Sequence, residues 1–137
     1  MTFVDPSQYP MTGMGRRLNP ASDFAKTAFA DEDFALYDLY IHRLRAGRAI
    51  IEDVTFTGCR IEGPGIMLVL DGTSFDRTNF GETKGNVANL ILRPAGTMAI
   101  GSVPVRNCTF IRCEFYMLGF TGNEQTVEQL LQIGKDL

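Results

Sequence analysis

With 137 residues, 45% of them hydrophobic and 21% charged, the chain is long enough for a single soluble domain with its own core. A net charge of −3 gives no electrostatic basis for nucleic acid or an anionic membrane as partner. Cys59, Cys108 and Cys113 lack the paired close spacing of a zinc site and read as reduced thiols.

The opening Met1-Thr-Phe-Val-Asp-Pro has neither the basic nor the apolar region of a secretory signal, and the expectation is a cytoplasmic protein. The longest apolar run, Gly65-Ile-Met-Leu-Val-Leu70, has the length of a strand, so no membrane span is expected. Residues 1–20 are rich in Pro, Gly and Met without a period and read as an extended arm. Over residues 21–38, Phe24, Phe29 and Phe34 recur every five. That spacing fits an extra repeat, while Asp23, Asp31, Glu32 and Asp33 fit a short capped helix equally well.

From residue 39 the chain keeps a five-residue beat with apolar first and third positions. The first run pairs Leu39/Ile41, Leu44/Ala46, Ala49/Ile51, Val54/Phe56, Cys59/Ile61 and Pro64/Ile66. A spacer, residues 69–72, shifts the phase by one. The second run follows with Thr73/Phe75, Thr78/Phe80, Thr83/Gly85, Ala88/Leu90, Arg93/Ala95, Met98/Ile100, Val103/Val105, Cys108/Phe110, Cys113/Phe115 and Leu118/Phe120. Charged residues avoid those positions, Arg93 excepted, as they must if the positions point into a core. A period of five is neither 3.6 nor 2.0 and points to a coiled, repeating solenoid. After it, Asn123 as N-cap, an early Glu124, the apolar face Val127/Leu130/Leu131 and Gly134 as C-cap predict a helix lying over the last repeat.

The pairs Thr73/Phe75, Thr78/Phe80, Cys108/Phe110 and Cys113/Phe115, with Cys59/Ile61 close in type, resemble the pentapeptide-repeat family. Asp or Asn before the central residue, usual in that family, occurs here only at Asn79 and Asn89, and the inner position is often large, as at Leu39 and Leu118. The resemblance implies a mainly β, single-domain, right-handed parallel β-helix with a C-terminal capping α-helix. Three- and four-sided versions both fit. The expected divisions, within one domain, are an N-terminal arm with a short helix or an irregular first coil over 1–38, the β-helix over 39–122 and the capping helix over 123–137.

The chemistry in the sequence is sparse. The three cysteines occupy inner positions and the lone His42 an outer one, so a thiol–imidazole pair is not expected. Glu52, Asp53, Glu62, Asp71, Asp76, Glu82 and Glu114 fall mostly outside, where solvated carboxylates need no role, although paired acids on such a face would suit carbohydrate chemistry. Arg43, Arg45 and Arg48 are expected to pair locally with Glu52 and Asp53. Residues 39–122 hold 9 Lys/Arg against 7 Asp/Glu, which argues against the DNA mimicry of some pentapeptide-repeat proteins. Gly13-Met-Gly15 and Gly63-Pro-Gly65 lack the spacing of a phosphate loop. Outer apolar residues Ile50, Met67, Ile91, Ile111, Tyr116 and Met117 suit contact with the N-terminal arm, a partner or a second copy. The expectation is a non-catalytic binding or scaffold module that engages a protein or itself. No catalytic residue, cofactor or metal is assigned. A carbohydrate-binding or carbohydrate-active β-helix and a regulatory or sensor domain are the alternatives.

Overall fold

The computed structural model describes residues 5–81, 87–93 and 100–135. The fold is mainly β, with parallel sheets and a C-terminal helix. Its strands are β1 (Ala28–Ala30), β2 (Asp33–Ala35), β3 (Ile51–Glu52), β4 (Thr55–Thr57), β5 (Arg60–Val69), β6 (Ser74–Asp76), β7 (Ile91–Leu92), β8 (Val103–Arg106), β9 (Thr109–Ile111) and β10 (Glu114–Thr121). The helices are α1 (Leu36–Arg45) and α2 (Glu124–Lys135). No described helix is long and apolar enough to cross a membrane.

One sheet has the order β1-β4-β9-β6 and the other β3-β8-β5-β10-β7, with β2 also on β5; every strand pair is parallel. The order is not that of the chain. β9 lies between β4 and β6, so a late segment separates two earlier ones. Bends between strands keep the same neighbours: Asp31 donates its amide to Thr57, Gly58 to Ile111 and Arg112 to Asp76. Backbone groups that would otherwise be buried and unpaired are thereby satisfied.

The alternation expected from the pentads is present where these strands form. Val54, Phe56, Cys59, Ile61, Thr78, Phe80, Val103, Val105, Cys108, Phe110, Cys113, Phe115, Leu118 and Phe120 are all buried. Phe29, Phe56, Phe110 and Phe75 stack in spatial order with centroids 5.6, 4.7 and 5.1 Å apart and planes within 10° of parallel. The small inner residues form a second column. Cys59 Sγ points to the Phe29 carbonyl at 3.5 Å, Cys113 Sγ to Phe56 at 3.4 Å and the Thr78 hydroxyl to Phe110 at 3.5 Å.

Several expectations are corrected. Residues 36–45 are helical, so Leu39/Ile41 and Leu44/Ala46 build no strand. Leu36, Leu39 and Arg43 are buried on one helical face at i, i+3 and i+7, and that spacing overrides the beat of five. The phase shift comes before residues 69–72: within β5 the ladder to β10 steps from Glu62 opposite Tyr116 to Gly65 opposite Leu118, after which Met67 and Val69, rather than Pro64, are buried. Ile91 is likewise core, whereas Ile100, assigned to the interior, is fully exposed. Of the two readings open for residues 21–38, strands β1 and β2, which extend both sheets, favour the added repeat, and α1 begins only at Leu36. Asn123 caps α2 as expected, its side-chain oxygen accepting from the Thr126 amide at 2.8 Å. Helix α2 runs through Gly134, so that residue is not its C-cap. The repeats Thr83/Gly85, Arg93/Ala95 and Met98/Ile100 fall wholly or partly outside the described residues.

Candidate functional site

Two ends of the β1-β4-β9-β6 sheet differ. At the β1 end the Lys26 ammonium sits over the Phe29 ring, 5.1 Å from its centroid, and Arg43 of α1 donates to the Lys26 carbonyl at 2.7 Å. At the β6 end the last phenylalanine of the stack, Phe75, is only half-buried and lines a groove of about 570 Å³. One wall is the segment 69–75; the other is α2, with Asn123 at its start and Gln125, Gln129 and Gln132 along it. Leu130 and Ile133 add apolar surface, and a smaller recess of about 220 Å³ continues past Asp71 toward Arg106 and Asn123. Among the described residues, nothing pairs with the outer edge of β6.

The lining is nearly uncharged. Arg106 is held by Glu52 at 2.8 Å, so its charge is spoken for. Asp71 is exposed, and among the described residues its carboxylate has no partner. An uncharged polar rim over an apolar floor suits a neutral or weakly cationic ligand. No second carboxylate or base joins Asp71 there, so the groove holds no paired-acid geometry among the described residues.

Away from the groove's lining, the N-terminal arm folds back onto β2, the Gly58 turn and β10. Arg16 grips Asp33 with two hydrogen bonds of 2.7 Å and reaches the Gly58 carbonyl. Asp33 also accepts from the amides of Asn19 and Arg60. Arg60 bonds Glu62 and Glu114, and Glu114 accepts from the Gly13 amide at 2.8 Å. Burial alone would raise the Asp33 pKa, but the Arg16 pair and the two amides outweigh it and hold the carboxyl below its usual range. These charges are paired with one another, which is the pattern of a clasp. Beside it, Arg112 and Arg16 border a shallow recess with Asp31, Gly58 and Met14. There the Asp31 carboxylate lies 4.0 Å from Arg16 Nε.

The remaining sequence candidates are dispersed. All three cysteines are buried; burial pushes the Cys108 thiol up, and the hydrogen bond with Cys113 together with burial does the same for Cys59. They are packing groups with satisfied S–H donors. His42 lies on α1, its Nδ1 buried without a hydrogen-bond partner among the described residues and its ring 6.3 Å from Phe24. The expected pairing of Arg43, Arg45 and Arg48 with Glu52 and Asp53 is not found: Glu52 takes Arg106, Asp53 accepts from Asn107 at 2.7 Å, and Arg43 turns inward to Lys26. Asp76 pairs with Arg77, Arg60 lies over one face of the exposed Tyr116 ring at 4.5 Å, and Glu82 lies outside the described residues. The described residues contain no group of three or more potential metal-binding side chains. The groove itself was not signalled by the sequence, because its walls lie some fifty residues apart in the chain and neither carries a motif.

No known protein family, characterised protein or solved structure matches the chain.

Proposed function

We propose that the chain is a non-catalytic binding module, in which a short parallel β-helix serves as a rigid frame for protein–protein contact. The single observation that carries this reading is the asymmetry of the two ends. Both outer strands are unpaired among the described residues, but at β1 the Phe29 ring is buried under Lys26, which Arg43 of α1 holds by its carbonyl, while at β6 the half-buried Phe75 ring faces a 570 Å³ groove. An uncovered strand edge invites pairing with another chain, so it persists where pairing is useful or is managed by other means. The β-helix reading is supported by the all-parallel pairing, by amide ladders that continue through the bends, and by the phenylalanine and Cys/Thr columns. In this reading residues 103–121 form one turn inserted between turns built from residues 51–67 and 69–80.

Selection from a display library of random linear peptides, run beside size-exclusion chromatography with light scattering, tests it. The expected result is enrichment of ligands or defined self-association. A protein that stays monomeric and enriches nothing overturns the proposal.

A further inference from the structure

We propose that the groove takes an extended peptide segment of another protein, which adds as a further strand along β6, sets an aromatic side chain on Phe75 and brings a lysine or arginine to Asp71. This rests on the binding-module reading and deepens it by naming the partner's chemistry.

The backbone supplies the first argument. Ser74 donates its amide to the Cys108 carbonyl, and the Asp76 carbonyl accepts from the Arg112 amide, both toward β9. In a parallel ladder alternate residues turn their backbone groups to opposite sides, so the amide and carbonyl of Phe75 face the groove. A peptide laid there finds a donor and an acceptor already fixed in strand geometry.

The side chains supply the second. The stack Phe29–Phe56–Phe110–Phe75 repeats about once per strand spacing, near 4.8 Å, and its last ring is half-buried at the groove. An added strand places its own inward residue one step further along, where an aromatic ring continues the offset stack. A second copy of this chain fits less well. Its edges in this sheet are β1 and β6: Lys26 already covers the Phe29 ring that β1 would bring to Phe75, and β6 would bring a second Asp71 where the groove calls for a cation.

Charge supplies the third. Asp71 is the uncompensated charge of the groove among the described residues, the neighbouring Arg106 being neutralised by Glu52. The α2 wall is uncharged amide: Asn123, Gln125, Gln129 and Gln132. Complementarity therefore favours a cation on the segment and disfavours an acidic one.

The test uses the full chain and the random-peptide display library. Enriched peptides are expected to carry an aromatic residue and a lysine or arginine in a fixed spacing. N-methylating the peptide amide that faces Phe75 is expected to weaken binding about tenfold, as is Gln129→Trp, which fills the groove from an exposed helix position. Asp71→Asn is expected to weaken it about threefold for the cationic peptides alone. Thermal melts of both variants, expected to match the parent, separate lost binding from lost folding. Five outcomes overturn the inference. Peptides indifferent to N-methylation and to Gln129→Trp leave the module reading standing but not the strand. Acidic peptides remove the Asp71 argument and the stated partner. A dimer dispersed by Gln129→Trp assigns the groove to a second copy. Binding of neutral oligosaccharides that Gln129→Trp abolishes, with no peptide enriched, assigns it to sugar. Absence of both ligand and self-association overturns this inference and the module reading together.

Discussion

Single residues divide into those that hold the arm and those that fill the columns. Asp33 is nearly inaccessible, and the two hydrogen bonds from Arg16 compensate its burial. Removing Arg16 leaves that buried carboxylate without its counter-ion, held by the Asn19 and Arg60 amides alone, so Arg16→Ala is expected to cost about 3 kcal/mol at neutral pH, read by urea unfolding. Because the folded-state pKa of Asp33 lies below its unfolded value of about 3.9, the stabilisation is present above that value. It is lost as pH falls through the lowered folded value, so the gap between parent and variant should narrow in strong acid. The second column gives a different expectation. Thr78 shows that a hydroxyl serves where Cys59 and Cys113 use sulfur. Cys113→Ser should therefore stay within about 1 kcal/mol of the parent, whereas Cys113→Val loses the donor to the Phe56 carbonyl, adds volume in a packed column and should cost about 2 kcal/mol. Equal losses for the two would contradict the hydrogen-bond role.

At the scale of elements, local pattern and neighbour choice separate. Period-five spacing was legible wherever a strand has one buried face, as over residues 54–61, 78–80 and 103–120, because alternation fixes which side chains turn inward. It misled at α1, where Leu36, Leu39 and Arg43 also satisfy a helical face, Asp38 sits in the first turn and basic residues in the last. Gly47, at φ 82°, sits just beyond the end of that helix in a conformation that suits its lack of a side chain. The phase shift was misplaced for a local reason too: a turn at residues 69–72 and a register step within β5 fit the same pattern, and the step lies where Gly63 packs on the Met117 backbone. A Cβ on Gly63 would run into the Met117 carbonyl oxygen, so Gly63→Ala is expected to destabilise by about 3 kcal/mol or more, measured by thermal melting. Gly65→Ala, whose added carbon meets only a Leu118 methyl at 3.8 Å, is the control and should be mild. The groove was illegible because it arises from α2 meeting residues 69–75, a juxtaposition that no local period encodes.

For the molecule as a whole, the non-sequential strand order has a consequence for stability. Strand β9 separates β4 from β6, and β10 lies between β5 and β7, so residues 103–121 supply an inner strand to each sheet. A chain cut after Arg93 therefore loses the interior of both sheets rather than an end, and it should show no cooperative thermal transition by circular dichroism. A sharp transition in that fragment would mean that the earlier segments pair with one another without the later one. The same order leaves β6 as an outer strand with α2 standing opposite it, which creates the groove on which the functional reading depends. Site-resolved amide hydrogen exchange, with and without a saturating enriched peptide, tests that reading most directly. Strand addition predicts that exchange slows at Phe75, while Ser74 and Asp76, whose amides already turn toward β9, change little. Peptide-dependent protection elsewhere in the chain, with Phe75 unchanged, would contradict it.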